Sequence, residues 1–142
     1  MRRQARKPII GVLVVVAIAL ASQRLGWFDE TTSSSSIEEL FRQRRSGQWV
    51  EGSGTVAKVL RDDTSGDKHQ QWILRLASGH TLKFAHNIDL APRIPDLNEG
   101  AAIRFRGRYE YNDKGGVIHW THHDPRNRMT GGWIEHGGNR YE

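Results

Sequence analysis

Chemistry-bearing side chains concentrate in one stretch: Gly115-Gly116-Val117-Ile118-His119-Trp120-Thr121-His122-His123-Asp124-Pro125. Three of the chain's seven histidines fall within five consecutive positions there, beside a carboxylate and a tryptophan. Imidazole and carboxylate together can bind a metal, exchange protons, or form a hydrogen-bonded structural pair. Spacing sorts these roles. On an extended strand His119 and His123 share a face but stand about 13 Å apart, at about 3.3 Å per residue. One ion with bonds of about 2.0–2.1 Å cannot take both. His122 and Asp124 are two residues apart, about 6.6 Å along one face, a gap that side chains close. His122, Asp124 and His86 are therefore the candidate ligands of a divalent metal such as zinc. His119 or His123 is the candidate catalytic base of a metal-assisted hydrolase of phosphodiesterase or nuclease type. The competing reading makes His122 and Asp124 a hydrogen-bonded pair that anchors the end of a strand.

A helix would gather positions 119, 122 and 123. The Gly-Gly turn, Val117, Ile118 and Pro125 argue for a strand instead. The chain contains no HExxH, GxSxG or Walker sequence. It contains no cysteine, which excludes thiol catalysis, disulfides and cysteine-based zinc sites.

The elements that must position these groups are short strands. From about Gln48 onward, alternating apolar residues are punctuated by Gly, Asp and Asn, giving strands near 48–60, 70–77, 80–86, 101–111 and 117–123. The fold class expected is mainly all-β: a small five-stranded OB-like Greek-key barrel over 46–142. The connection from Asn87 to Gly100 carries Pro92 and Pro95, which prevent a long helix. A loop of Ala77-Ser78-Gly79 pairs Leu74 with Leu82 and Trp72 with Phe84. This puts His86 on the Leu82/Phe84 face and His69 on the other. A loop of Asp113–Gly116 pairs Tyr111 with Ile118 and Tyr109 with Trp120. It sets His122 opposite Gly107, Asp124 opposite Phe105, His119 opposite Glu110 and His123 opposite Arg106.

Trp72, Phe84, Tyr109 and Trp120 read as core rather than as stacking platforms. Arg104, Arg106 and Arg108 alternate outward along one strand and are the candidate contacts to an anionic ligand, an oligonucleotide or a glycan. In the tail, a short hairpin is expected to pack Trp133 on the barrel and to leave His136 exposed. The acidic loop Asp62–Asp67 lacks EF-hand spacing and reads as a turn.

The amino terminus points to export. Arg2, Arg3, Arg6 and Lys7 precede residues 9–21, which carry no polar side chain. A span needs about 20 apolar residues, which 9–28 supplies if Arg24 snorkels and Trp27-Phe28 sit at the interface. Residues 1–28 are read as a signal anchor. The chain then crosses the inner membrane once, with its domain in the periplasm. Cleavage after Ala21, releasing a periplasmic protein, is the alternative. No acid precedes Asp29, and removing the four leading cations leaves 17 basic side chains against 16 acidic, so the chain's +5 charge is mostly a targeting feature. Residues 29–45 read as a polar linker (29–36) followed by a short amphipathic helix over 37–45, with Ser36 and Glu39 as a capping box.

Several blocks together carry a resemblance: Gly54-Thr55-Val56, His69-Gln70, His86-Asn87-Ile88-Asp89-Leu90-Ala91-Pro92-Arg93, the Gly115–Pro125 run, Gly132-Trp133-Ile134 and Tyr141. The region from Gly52 to Tyr141 resembles an uncharacterised bacterial family of short exported proteins, a domain of unknown function. The resemblance implies a single exported β-domain and assigns no activity. Three functions are compatible with these readings. One is an exported, tethered binding module whose His/Asp site takes a metal or an anionic ligand. The second is the metal-dependent hydrolase. The third is an envelope scaffold that contacts another envelope protein.

Overall fold

A computed structural model describes residues 29–142. The expected signal anchor, the expected membrane contact over 9–28 and the alternative cleavage at Ala21 lie outside the described residues. Among the described residues no helix is long and apolar enough to cross a membrane.

The described chain is one helix followed by seven strands: α1 (Asp29–Arg42), β1 (Gln48–Val59), β2 (His69–Arg75), β3 (Thr81–Asn87), β4 (Ala102–Glu110), β5 (Val117–His119), β6 (Trp133–His136) and β7 (Asn139–Tyr141). The first five strands run in spatial order β1-β2-β3-β5-β4, and β1 also pairs with β4, closing a five-stranded barrel. β3 and β5 are parallel; the other pairs are antiparallel. β1 reaches both neighbours because a register shift between Val56 and Lys58 bends it. Gln48–Thr55 pair with β4 and Thr55–Val59 with β2.

Alternation fills the interior. Gln70, Trp72 and Leu74 of β2, Leu82, Phe84 and His86 of β3, Ile103, Phe105 and Tyr109 of β4, and Ile118 of β5 are buried. Trp72 and Phe84 stack at 5.0 Å, and Phe84 meets Phe105 edge-on at 4.8 Å. The pairs Trp72–Phe84 and Leu74–Leu82 form as the sequence predicts. Trp72, Phe84 and Tyr109 are core; Trp120 is only half-buried.

Both barrel ends are plugged. At one, Ile37 and Leu40 of α1 are buried, and Phe41 packs against His80 and Tyr111. Burying such a side chain is worth about 1.5–3 kcal/mol, which holds the helix to the barrel. At the other, the 88–101 connection inserts Ala91, Ile94 and Leu97. The amide of Gln70 clamps it, donating to the Ile94 carbonyl and accepting from the Ile94 N–H, both at 2.9 Å.

Four expectations need correction. The helix begins at Asp29 rather than at 37, so Ser36 and Glu39 lie inside it; no Gly or Pro interrupts Asp29–Arg42. The β4–β5 register is Tyr109 opposite Ile118 and Arg108 opposite His119, two residues from the expected pairing. The reason lies in the turn. The Asn112 side chain accepts the N–H groups of Lys114 and Gly116, at 3.0 and 2.8 Å, and lengthens the loop. A two-residue slip keeps every side chain on its face. Third, β5 stops at His119 because Trp120 has φ of 55°. His122, His123 and Asp124 therefore belong to a loop and oppose no residue of β4. Finally, Ile134 rather than Trp133 packs into the core: it is fully buried opposite Phe105.

Candidate functional site

The Gly115–Pro125 run is split by the turn at Trp120, and its polar groups go to different tasks. His86 is fully buried, and both ring nitrogens are occupied. Nε2 lies 3.0 Å from the Pro92 carbonyl, which can only accept, so Nε2 carries the proton. Nδ1, at 2.8 Å from Thr121 Oγ1, then accepts from that hydroxyl. Burial lowers the His86 pKa below its ordinary 6.5, the Pro92 bond opposing. The ring stays neutral and ties β3 to the 88–101 plug and to Thr121.

Asp124 is nearly buried and is consumed by its own turn. Oδ1 accepts the N–H of Arg126 at 3.0 Å and Oδ2 accepts that of Arg128 at 2.9 Å. The Asp124 carbonyl takes the N–H of Asn127 at 2.9 Å. The Arg126 N–H is the main reason its pKa falls below the ordinary 3.8. Burial opposes this, and the Arg128 N–H and guanidinium add to it. This is an Asx-type turn, which fixes the chain after β5.

His122 is 4% exposed. Its Nδ1 donates to the His123 carbonyl at 2.7 Å, and its ring stacks on Trp120 at 5.2 Å. Among the described residues its Nε2 makes no hydrogen bond. Burial lowers its pKa, with the His123 carbonyl opposing and the neighbouring His123, His119 and His69 reinforcing. His119 Nε2 is 3.3 Å from Glu110 Oε1, and His123 is exposed.

Two glycines make this arrangement possible. A Cβ at Gly107 would lie 2.5 Å from Ile118 Cγ2 and 2.8 Å from the His119 carbonyl oxygen, so its missing side chain makes room for β5 and Thr121 rather than for His122. A Cβ at Gly132 would lie 2.1 Å from the Trp120 carbonyl oxygen and 2.4 Å from that of Arg106. Gly132 instead donates its N–H to the His122 carbonyl at 2.8 Å, clamping the loop from the tail side.

The expected metal set therefore does not assemble: His86 and Asp124 are saturated by the fold. Among the described residues no group of three or more His, Cys, Asp or Glu is placed to hold a metal. Of the two candidate bases, His119 lines a cleft at the ends of β2, β3 and β5 with Nε2 turned toward Glu110, and His123 is exposed outside it.

The arginines of β4 face outward as expected, but each is engaged. Arg104 pairs with Glu135 at 2.8 Å. Arg106 lies 5.0 Å over the Trp49 ring, donates to the Gly131 carbonyl at 3.0 Å and pairs with Glu51 at 3.2 Å. Arg108 Nε is 3.8 Å from Glu110. Trp133 lies between Arg104 and Arg140, and His136 is half-exposed, its Nδ1 3.3 Å from the Ala102 carbonyl oxygen.

What the structure does bring together is a cleft of about 480 Å³ on the outer surface at the ends of β2, β3 and β5. Its walls include His69, Asn87, His119, Trp120, His122 and Arg126. His69 donates Nδ1–H to the Asp67 carbonyl at 2.9 Å, as His122 does to that of His123. Both rings therefore keep an Nε2 lone pair uncommitted. The Arg126 guanidinium has no ion pair among the described residues, whereas Arg128 leans on Asp124 at 3.8 Å. His69, Asn87 and Arg126 are absent from the sequence-derived site. The sequence marks His69 by its outward register and by the His69-Gln70 block, and the pairing of β5 with β3 brings that outward face to the cleft.

The class of protein defined is thus a closed five-stranded barrel, plugged at both ends, with an imidazole-lined cleft on its flank. The chain belongs to the DUF3465 family, described as proteins of unknown function, whose model matches residues 14–142. No curated protein matches the chain.

Proposed function

We propose that the protein is an exported, membrane-tethered OB-like binding module that takes an anionic ligand in the β2–β3–β5 cleft. The OB-like assignment rests on the strand order β1-β2-β3-β5-β4 with closure of β1 on β4. Such barrels use the outer face of their second and third strands and the adjoining loops for oligonucleotides and oligosaccharides. The cleft occupies that region. Export and tethering through residues 9–28, or release after Ala21, rest on the basic leader and the apolar run that follows it.

The observation that carries the anionic reading is the contrast between two sets of arginines. Arg104 and Arg106 are each paired with a glutamate, and Arg108 lies 3.8 Å from Glu110. Arg126 stands in a concave site with free imidazole nitrogens and with Trp120 as an apolar wall. A charged donor beside an aromatic surface suits an acidic glycan or a nucleotide phosphate with its ring. The hydrolase alternative draws less support, because two of its three ligands are hydrogen-bonded into the fold. The scaffold alternative has no observation in its favour.

The test is a titration of the full chain with single-stranded oligonucleotides and with acidic oligosaccharides, followed by calorimetry. Saturable binding that weakens about tenfold, or about 1.4 kcal/mol, in Arg126→Ala supports the proposal. Binding by neither class, or binding indifferent to Arg126, refutes it.

A further inference from the structure

We infer that His69 and His122 form a binding site for one divalent transition-metal ion of the Zn²⁺/Ni²⁺/Cu²⁺ type, with Nε2 of each ring as ligand. The inference rests on the reading of the cleft as a ligand site, and adds a cation to it. Both rings line the same cleft. Each donates Nδ1–H to a main-chain carbonyl, His69 to Asp67 at 2.9 Å and His122 to His123 at 2.7 Å. That bond fixes the tautomer with the lone pair on Nε2, and it also raises the basicity of that nitrogen. It is the arrangement that metal-bound histidines show.

The two rings come from different parts of the fold. His69 begins β2, and its N–H and C=O are locked to Asp63 by two 2.9 Å bonds. His122 is held by the Asp124 turn, the Trp120 stack and the Gly132 clamp. Neither ring needs a new hydrogen bond to be oriented, so little ordering remains when an ion arrives.

The neighbours exclude a closed structural site. His86 is committed to Pro92 and Thr121, and Asp124 to its own turn. With two protein ligands the ion keeps open positions for water or for an oxygen of an anionic ligand. Imidazole donors favour zinc, nickel and copper over magnesium or calcium, and affinity should follow the order of the divalent series, with copper tightest.

The experiment uses the full chain carrying no histidine tag, titrated with Zn²⁺, Ni²⁺ and Cu²⁺ and, separately, with Mg²⁺, in the absence of any anionic ligand. Binding of one ion per chain is expected, with no response to Mg²⁺. Removing a residue that merely orients a ligand costs about 10–100-fold in metal affinity, so His69→Gln should cost at least about tenfold. Because His122 is nearly buried, its role is read in the wild type instead. The Nε2 resonances of His69 and His122 should shift on adding Zn²⁺, and those of His86 should stay. No stoichiometric binding, retention in His69→Gln, or shifts confined to other histidines would overturn the inference. Arg126→Ala takes a positive charge out of the same cleft and should not weaken metal binding. Loss of anion binding with metal binding intact thus counts against the function proposed above and not against this site, and the reverse result counts against this site alone.

Discussion

Replacing His86 with alanine should unfold much of the protein's margin of stability. The ring is fully buried, and both nitrogens are bonded, at 2.8 Å to Thr121 and 3.0 Å to Pro92. Removing it strands the buried Thr121 hydroxyl, at about 1–3 kcal/mol, and leaves the part-buried Pro92 carbonyl without its donor. It also leaves a hole beside Trp72, whose ring lies 6.3 Å away. Truncating other large buried rings to alanine costs about 3–5 kcal/mol, and a loss in that range is expected here. A domain of this size has about 5–15 kcal/mol in all. Urea unfolding of the full chain, followed by tryptophan fluorescence, should show the midpoint falling by more than about 1 M at a slope of about 1–3 kcal/mol/M. Thr121→Val should cost about 1–2 kcal/mol alone and much less in the His86→Ala background, because the two groups share one bond. A His86→Ala cost within about 0.5 kcal/mol, the range of surface changes, would refute the assignment of this histidine to the core. The exposed His123→Ala is the control and should fall inside that range.

Acid should destabilise the fold in two stages. His86 and His122 have pKa values lowered from 6.5. The unfolded chain binds protons there that the folded chain refuses, so stability is fully present above pH 6.5 and erodes as pH falls toward the folded-state values. The Asp124 contribution, with its pKa lowered from 3.8, persists to lower pH and is lost below that value. Chemical denaturation across pH 3–8 checks both, and a flat profile between pH 5 and 7 would contradict the first. Gly132→Ala drives a Cβ into two carbonyl oxygens and should cost more than about 2 kcal/mol, seen as a lowered melting point. Arg106→Ala removes the Trp49 and Gly131 contacts and should cost about 1–2 kcal/mol. Arg104→Ala should leave oligonucleotide or glycan affinity within about twofold, since its charge is already spent on Glu135; a tenfold loss would return the ligand to the outer face of β4.

Local pattern made some of the fold legible and hid the rest. Trp72, Leu74, Leu82 and Phe84 admit one sensible pairing, and β2 and β3 adopt it. Tyr109, Tyr111, Ile118 and Trp120 admit two pairings that bury the same faces, and the choice fell to the Asn112 side chain in the turn. The left-handed backbone at Trp120 has no local signature, because a tryptophan is an uncommon occupant of that conformation. Without it, alternation carries His122 and Asp124 along a strand that ends at His119. Asp124-Pro125-Arg126 reads in retrospect as an Asx turn. That His69 and His122 line one cleft depends on β5 lying parallel to β3, a feature of barrel closure that no spacing within either segment encodes. The outward register of Arg104, Arg106 and Arg108 was legible, but their glutamate partners come from β1, β6 and the end of β4 itself.

The central claim is a division of labour among the histidines: His86 serves the fold, while His69 and His122 face the cleft. Long-range ¹H–¹⁵N spectra of the imidazoles in the full chain near neutral pH test it directly. His86 should carry its proton on Nε2, and His69 and His122 should carry theirs on Nδ1. A free exposed imidazole prefers the opposite arrangement to the latter. Finding His69 and His122 as Nε2–H tautomers, or His86 protonated on Nδ1, would contradict the account.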